Sequence, residues 1–419
     1  MKKVLFTIGM GLSTFLNAQN YLHQVLILNE GRFDYITNSI VEPVTIGTYD
    51  PVSQTYSIVD TLEGMRFASD LIIEGNYYYV AADTKIFKID LNSHQEVSSV
   101  SCPGVRNLAI YQNKLVATRG EYLTTYDSYL HVYDASNLNL IQAIDTVQGP
   151  KWAAQNIVID GNTAYIAVNN GYEWGNEKGI VGKLDLINLT YGNEIDLGVD
   201  GKNPDNMVKS GNSIFTINNK DWSGSSISKI ELSNATSSTV NLNSASTGCG
   251  TSALRDDKIV YQISNETILN EFDYTLMNNV GPISGISMNF YDLAQEPISG
   301  NLYASTTDFT TFGKVYVYNN QNAELLNFNV GIAPGTIGFD IRPLSSGLNQ
   351  IKTPPSFYPN PAKDHVTVEN NEGNEVSILD MFGKVMIETK SNEINISQLS
   401  AGTYLISVNG IQTKFIKLN

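Results

Sequence analysis

An apolar strand that ends in a bulky apolar residue and then an acid or amide recurs along this chain, at steps of roughly forty-five residues. The series runs Tyr49-Asp50, Ile89-Asp90, Tyr133-Asp134, Leu184-Asp185, Ile230-Glu231, Phe272-Asp273 and Tyr318-Asn319. Short strands at such a period are what a β-propeller requires, because each blade buries its faces only by stacking on its neighbours. A second series, in phase with the first, places Gly75-Asn76, Gly161-Asn162, Gly211-Asn212 and Gly300-Asn301 between an apolar run and a β-rich run. Gly and Asn accept the positive φ of tight hairpins. Agreement of the two periods predicts an all-β chain of repeated blades. The strand-end acids are then turn residues that bond the backbone two positions on, rather than catalytic groups.

Four strands per blade, innermost to outermost, give six full units at residues 68–101, 105–145, 153–197, 204–242, 250–281 and 284–330. Ahead of them lie three strands only, at 25–28, 44–49 and 55–59, and the stretch 336–341 supplies the fourth. Joining the two ends in one sheet leaves no open edge. The expected organisation is all-β: a seven-bladed β-propeller over 19–344, a linker at 345–355 and a small C-terminal β-sandwich over 356–419. A closed ring with no sheet edge to share also predicts a monomer.

Residues 1–18 carry the charged, apolar and small-residue parts of a signal peptide, with cleavage expected after Ala18. No lipobox cysteine follows, and no later apolar run approaches the roughly 20 residues of a membrane helix. The net charge of −16 falls by two, to −18, when Lys2 and Lys3 leave with the leader. An acidic surface repels phosphate backbones and anionic lipids, which argues against nucleic acid as a partner. Cys102 and Cys249 fall in connectors about three blades apart, a separation that favours two thiols over a disulfide, with a disulfide across the axis and a metal or reactive thiol as alternatives.

Blade topology puts the connectors between blades and the loops between second and third strands on one face. The connectors include Gly64-Met65-Arg66-Phe67, Gly104-Val105-Arg106-Asn107, Gly149-Pro150-Lys151-Trp152 and Gly201-Lys202-Asn203-Pro204. The inner loops carry Phe33, Tyr35, Tyr122, Tyr126, Tyr172, Trp174 and Trp222. Flat aromatics beside Asn, Asp and Arg can stack on a planar or sugar-like ligand while the polar groups orient it. The candidate ligand face is therefore Phe33, Tyr35, Arg66, Phe67, Arg106, Tyr122, Tyr126, Lys151, Trp152, Tyr172, Trp174, Asn203 and Trp222. Loop aromatics also pad the joints between blades, so each has a packing alternative.

Catalytic signatures are sparse. His23, His94, His131 and His365 are scattered without metal-ligand spacing, and neither a Gly-x-Ser-x-Gly elbow nor a phosphate-cradling glycine loop occurs. Asp200, Asn203 and Asp205 offer oxygen enough for a cation but lack the spacing of a calcium loop, and a polar turn is the alternative. The expectation is a non-enzyme with no required cofactor and no metal.

The tail carries Tyr358-Pro359-Asn360-Pro361-Ala362, Asp380-Met381-Phe382-Gly383-Lys384, Leu399-Ser400-Ala401-Gly402-Thr403-Tyr404 and Lys414-Phe415-Ile416-Lys417-Leu418. In that order these motifs resemble the type A sorting domain of the type IX secretion system over roughly residues 355–419. The resemblance implies a Bacteroidota-type bacterium, passage across the outer membrane to the cell surface or medium, the secretion machinery as a partner through 356–419, and removal of the domain on the way.

Within the propeller, Ala164-Tyr165-Ile166-Ala167-Val168-Asn169-Asn170 followed by Val181-Gly182-Lys183-Leu184-Asp185 resembles the YVTN-type propellers of surface proteins. The opening Leu26-Ile27-Leu28-Asn29-Glu30-Gly31 with Tyr49-Asp50-Pro51 is similar to a Bacteroidota subgroup of these. Some members of that subgroup capture cobalamin and hand it to an outer-membrane transporter, so the resemblance implies a corrinoid or similar cofactor as ligand and a transporter as partner. Three readings stand: a surface capture protein, an adhesive scaffold, and an extracellular hydrolase or lyase, which would need convergent carboxylates or a metal at the channel mouth.

Overall fold

The computed structural model describes residues 20–248, 251–344, 356–369, 375–381, 384–408 and 411–419. The expected leader at 1–18, the linker at 345–355 and Cys249 lie outside the described residues. Asn20–Arg342 is one compact unit, and Pro343–Asn419 belongs to a second.

The first unit is a ring of seven four-stranded sheets, each ordered along the sequence from inside to outside. Blade 1 is the exception. Its innermost strand, Pro334–Pro343, comes from the end of the unit and pairs with Asn20–Asn29, followed outward by Val44–Asp50 and Thr55–Leu62. Blades 2 to 7 begin at Ala68, Val105, Ala154, Pro204, Ser252 and Leu293. The ring is thus closed by a sheet shared between both ends of the unit, as the strand count predicts.

Every blade is apolar on both faces because it packs on two neighbours. In the second strand of blade 1, Leu26 and Leu28 join Leu71 and Val80 of blade 2, while the alternate Val25 and Ile27 join Tyr303 and Val315 of blade 7. Successive side chains on a strand point to opposite faces, so an unbroken apolar run serves both joints. The same alternation divides Ala164, Ile166 and Val168 from Tyr165 and Ala167 in blade 4. Apolar clusters fill all seven joints of the ring.

The two periodic signals meet at one end of the ring. Asp50, Asp90, Asp134, Asp185 and Asp273, and the amide of Asn319, accept bonds from the backbone two residues on, such as Ile187 N to Asp185 Oδ1 at 2.7 Å. Glu231 departs from the pattern. Its longer side chain accepts from Lys229 Nζ at 2.6 Å and Ser213 Oγ at 3.0 Å instead. The residue after the acid donates to the inner hairpin turn, as with Leu186 N to Asn162 O at 2.8 Å, which ties the two series together. Gly75 and Gly211 have φ of +60° and +53°, as those turns demand.

One blade boundary differs from expectation. The outermost strand of blade 6 runs Asn278–Ser287, past the break expected at 281, and blade 7 begins at Leu293 instead of 284. Gly281 and Gly285 take positive φ within a strand that continues, with Ile283 and Ile286 buried between the blades. These glycines act as irregularities within an edge strand that runs on past the expected boundary.

The second unit packs a three-stranded sheet, with Phe357–Tyr358, His365–Val368 and Glu393–Asn395, against a four-stranded one with Val385–Thr389, Val376–Leu379, Gly402–Val408 and Ile411–Lys417. Val366 and Ile394 from the first meet Val376, Ile378, Ile406 and Phe415 from the second in one core. Two sheets closing on a shared apolar layer make the expected small sandwich.

Candidate functional site

At the end of the ring opposite the acid turns, the innermost strands lose register with their neighbours. The slips fall between Ala68 and Asp70, Val105 and Leu108, Ala154 and Ile157, and Pro204 and Asn206. A bulge frees a residue from the ladder and re-aims its side chain. Here the freed residues are polar: Ser69, Arg106, Asn107, Gln155, Asn156 and Asp205. With Asp70, Asn206, Glu30, Tyr291, Asp292, Phe67, Tyr172 and Trp222 they line a cavity of about 420 Å³.

Four carboxyls converge there. Each keeps partial solvent contact through the mouth, yet protein surrounds it on most sides. Burial accordingly lifts Glu30, Asp205 and Asp292 to about 7 and Asp70 to about 6. Tyr291 Oη, donating to Glu30 Oε1 at 2.7 Å, works against that rise. A side chain at Gly335 would collide with Glu30 Oε1, so the bare glycine makes the room the acid occupies.

One of the acids also fastens the ring. Asp70 Oδ2 accepts the Leu108 N–H of the next blade at 2.7 Å, while blade 7 is tied to the closing strand by Ser305, whose Oγ donates to Pro334 O at 2.7 Å and accepts the Asp292 N–H at 2.9 Å. Asn206 plays the same part, donating to Ser252 Oγ at 2.9 Å. Asp205 has a looser environment, a 3.4 Å contact from Asn219 Nδ2.

Beside the cavity, aromatics and guanidiniums alternate across four blades. Tyr35 meets Phe33 edge-on at 4.9 Å, and Arg66 lies 6.0 Å from Phe33 and 5.4 Å from Phe67. Arg106 continues the series, 5.1 Å from Phe67 and 4.4 Å from Tyr172. Carboxylates and carbonyls hold the cations in place. Arg66 forks onto Asp83, with Nε to Oδ2 at 3.0 Å, and this bond is the main reason its pKa rises. Arg106 Nε donates to Gly120 O at 2.6 Å.

Tyr172 also lines a second, lateral cavity of about 490 Å³ between the inner loops of blades 3 and 4, with Glu121, Tyr122, Leu123, Tyr129, Asn170, Glu173 and Trp174. Trp174 is 78 % exposed and Tyr122 58 % exposed, whereas Trp222, at 40 %, overhangs the central cavity.

Of the residues expected on this face, Phe67, Arg106, Tyr172 and Trp222 line the central cavity, and Tyr122, Tyr172 and Trp174 the lateral one. Arg66, Phe33 and Tyr35 extend the ladder onto a two-stranded hairpin, Arg32–Asp34 with Ser39–Glu42. The packing alternative describes the others. Trp152 rests against the joint of blades 3 and 4 with Lys178 Nζ 5.0 Å from its ring, and Tyr126 lies under Arg119 at 4.0 Å. Asn203 is wholly buried and accepts from Asn169 Nδ2, while Lys151 is exposed and lines neither cavity.

Glu30, Asp70, Tyr291 and Asp292 are not among the residues expected on this face, and Asp205 was expected only with Asp200 and Asn203, as a cation site or a polar turn. A signal was present: an Asp or Asn stands directly before the apolar run of an innermost strand in Asp70-Leu71, Asn107-Leu108, Asn156-Ile157, Asn206-Met207 and Asp292-Leu293. Asp200 itself pairs with Lys220 Nζ at 2.9 Å. Cys102 is a buried free thiol whose pKa burial raises, 4.0 Å from His131 Nδ1. Among the described residues no group of three or more His, Cys, Asp and Glu could hold a metal ion.

Residues 356–418 match the family model of the secretion system C-terminal sorting domain. This segment is a type IX sorting domain. The sorting domain directs the chain across the outer membrane, to the cell surface or the medium, through the secretion machinery. No described helix is long and apolar enough to cross a membrane. No curated protein sequence matches the chain. Among solved structures, it is similar to the extracellular domain of BT4673 from B. thetaiotaomicron, described as a hybrid two component system, with a TM-score of 0.52 at 13 % identity. A second structure of that domain gives 0.50 at 12 %. Both similarities cover 94 % of this chain, which spans only 57 % of the length of those relatives. The dihydro-heme d1 dehydrogenase NirN in complex with DHE gives 0.51 at 12 % identity, over 90 % of this chain and 76 % of the other. Likeness at such identity concerns the fold.

Proposed function

We propose that the propeller of this exported protein captures a ring-bearing small molecule on its cavity face, with a corrinoid or similar cofactor as first candidate and an outer-membrane transporter as recipient. One observation carries the reading. Two cavities, of about 420 and 490 Å³, share Tyr172 as a common wall, and each presents a solvent-exposed tryptophan. Small-molecule sites commonly measure roughly 300–1,000 Å³ and combine aromatic walls with a few fixed polar groups. The ladder through Arg66, Phe67 and Arg106 holds that wall rigid, which lowers the ordering cost of binding. The likeness to a YVTN-type subgroup containing cobalamin-capture proteins supports the choice of first ligand, and the sorting domain supports the location.

A second reading, an extracellular hydrolase or lyase, draws on the convergence of Glu30, Asp70, Asp205 and Asp292 with raised pKa values. Against it, Asp70 Oδ2 is engaged by the Leu108 N–H of the next blade and Glu30 Oε1 by Tyr291, so one oxygen of each serves the ring. An adhesive scaffold is the third reading, favoured by the packing of Trp152 and Tyr126.

The test is titration of the mature chain, followed by tryptophan fluorescence, with cobalamins, haems and neutral glycans. Capture predicts saturable quenching by one ligand class and its loss in both Trp174→Ala and Trp222→Ala. Silence across the panel with both cavities intact favours the scaffold, and turnover of a glycan by chelated, repurified protein favours the enzyme.

A further inference from the structure

The central cavity has an unbalanced lining. Glu30, Asp70, Asp205 and Asp292 face it, and among the described residues none of the four enters an ion pair. Arg106 is the one cation of the lining, and it is already committed: Nε bonds Gly120 O, the guanidinium is flanked by Phe67 and Tyr172, and Glu121 lies 3.7 Å from its far end. Two acceptors of the lining are also under-used. Asn107 Oδ1, in the same lining, is shielded from solvent and has no donor partner. Asp205 receives only the long contact from Asn219. The wall is thus rich in carboxyls with its one cation engaged, and a cation bound there draws the acids into their ionised form.

Aromatic rings complete it. Phe67, Tyr172 and the half-exposed Trp222 offer ring faces and edges around the acids. Ring faces attract cations through their quadrupole, most strongly where water is partly excluded. Carboxylates and π faces together recognise an ammonium group, whereas an anion would meet repulsion from four acids and find Arg106 already occupied.

Resting on the capture reading, we propose that the ligand is an organic cation: an amine or ammonium group seats in the central cavity beside Asp205, and an attached ring lies over Trp174 in the lateral cavity. Tyr172, common to both linings, is the threshold between the two parts of the ligand. The class includes amino sugars and aromatic amines. Neutral rings of the same shape lack the group that the central cavity selects.

Calorimetry on the mature chain tests this with matched pairs: a glucosamine tetramer against its fully N-acetylated form, and tryptamine against N-acetyltryptamine, with cyanocobalamin as a ring-bearing ligand without an amine. The expected result is that at least one amine binds tenfold or more tighter than its acetylated partner. Asp205→Asn should weaken that amine about tenfold while leaving the acetylated partner unchanged, since a bond to a charged group is lost without change of shape. Circular dichroism and the urea midpoint of Asp205→Asn confirm that the variant folds, and Trp222→Phe, which keeps a ring in place, gives a second reading of the central cavity. Equal or tighter binding of the acetylated forms overturns the proposal, as does indifference of the amine to Asp205→Asn. Binding of cyanocobalamin with no amine bound overturns the cation and leaves capture standing. No binding by any member of the panel removes both.

Discussion

The guanidinium of Arg106 stands 4.4 Å from the ring centre of Tyr172, so a residue of one blade joint holds the wall between two cavities. Gly120 makes this approach feasible twice over. Its carbonyl accepts Arg106 Nε at 2.6 Å, and a Cβ added to it would sit 2.6 Å from Tyr172 Cε2.

Arg106→Lys should therefore behave as a damaging change despite keeping the charge. A lysine cannot lie flat between Phe67 and Tyr172 while donating along the guanidinium plane to Gly120. The loss is expected at about 2 kcal/mol, from one buried hydrogen bond and two ring contacts. Urea unfolding measures it. Gly120→Ala should give a milder loss of stability but displace Tyr172, and with it ligand affinity at both cavities.

A buried hydroxyl ties the closing strand to blade 7. Ser305 Oγ donates to Pro334 O of that strand at 2.7 Å and accepts the Asp292 N–H at 2.9 Å. Ser305→Ala should cost about 1–3 kcal/mol, because a backbone carbonyl and a backbone N–H each lose their partner in a buried place. Thermal unfolding followed by near-ultraviolet circular dichroism measures the loss, and a loss well below that range would mean that the hydroxyl matters little to closure.

How far the sequence spoke differs between fold and site. Blade number, closure and turns were legible because periodic constraints repeat them: Asp185 and Asn162 answer to the same local geometry as Asp90 and Asn76. The acids of the central cavity were not legible in the same way. Asp70 and Asp292 lie far apart in sequence and meet only once the ring closes, and the Asp or Asn that recurs before each innermost apolar run does not by itself tell a tie between blades from a cavity wall. Aromatic loops were visible as a set, but whether a ring faces solvent, as Trp174 does, or a blade joint, as Trp152 does, depends on packing that one loop cannot specify.

The strand-end acids give a prediction on position instead of composition. Asp185 accepts from Ile187 and Asn188 N–H groups at the exposed end of blade 4, and those bonds lower its pKa. Asp185→Ala should lower the urea midpoint with an unchanged m value, since surface exposed on unfolding stays the same. Glu231→Ala should act differently. Its partners are Lys229 and Ser213 side chains, so the turn keeps its shape and the loss should be smaller.

The two classes of acid also set opposite pH dependences. Glu30, Asp70, Asp205 and Asp292 have folded pKa values of about 6 to 7, above the 3.8 or 4.5 of the free groups. Between those limits the folded chain binds more protons than the unfolded one, so stability falls as pH rises from about 4 and levels off above about 7. Asp50, Asp90, Asp134, Asp185 and Asp273 have lowered values, so the stability they add is present above pH 4 and is lost as pH falls below it. The two slopes place maximum stability on the mildly acidic side of neutrality. Melting temperature measured from pH 3 to 8 should rise and then decline. Asp205→Asn should flatten the decline and leave the acid limb unchanged, because it removes one raised carboxyl and none of the turn acids. A rise continuing through pH 7 in the parent chain would show that the cavity acids are ionised throughout, and that the desolvation inferred for them is absent.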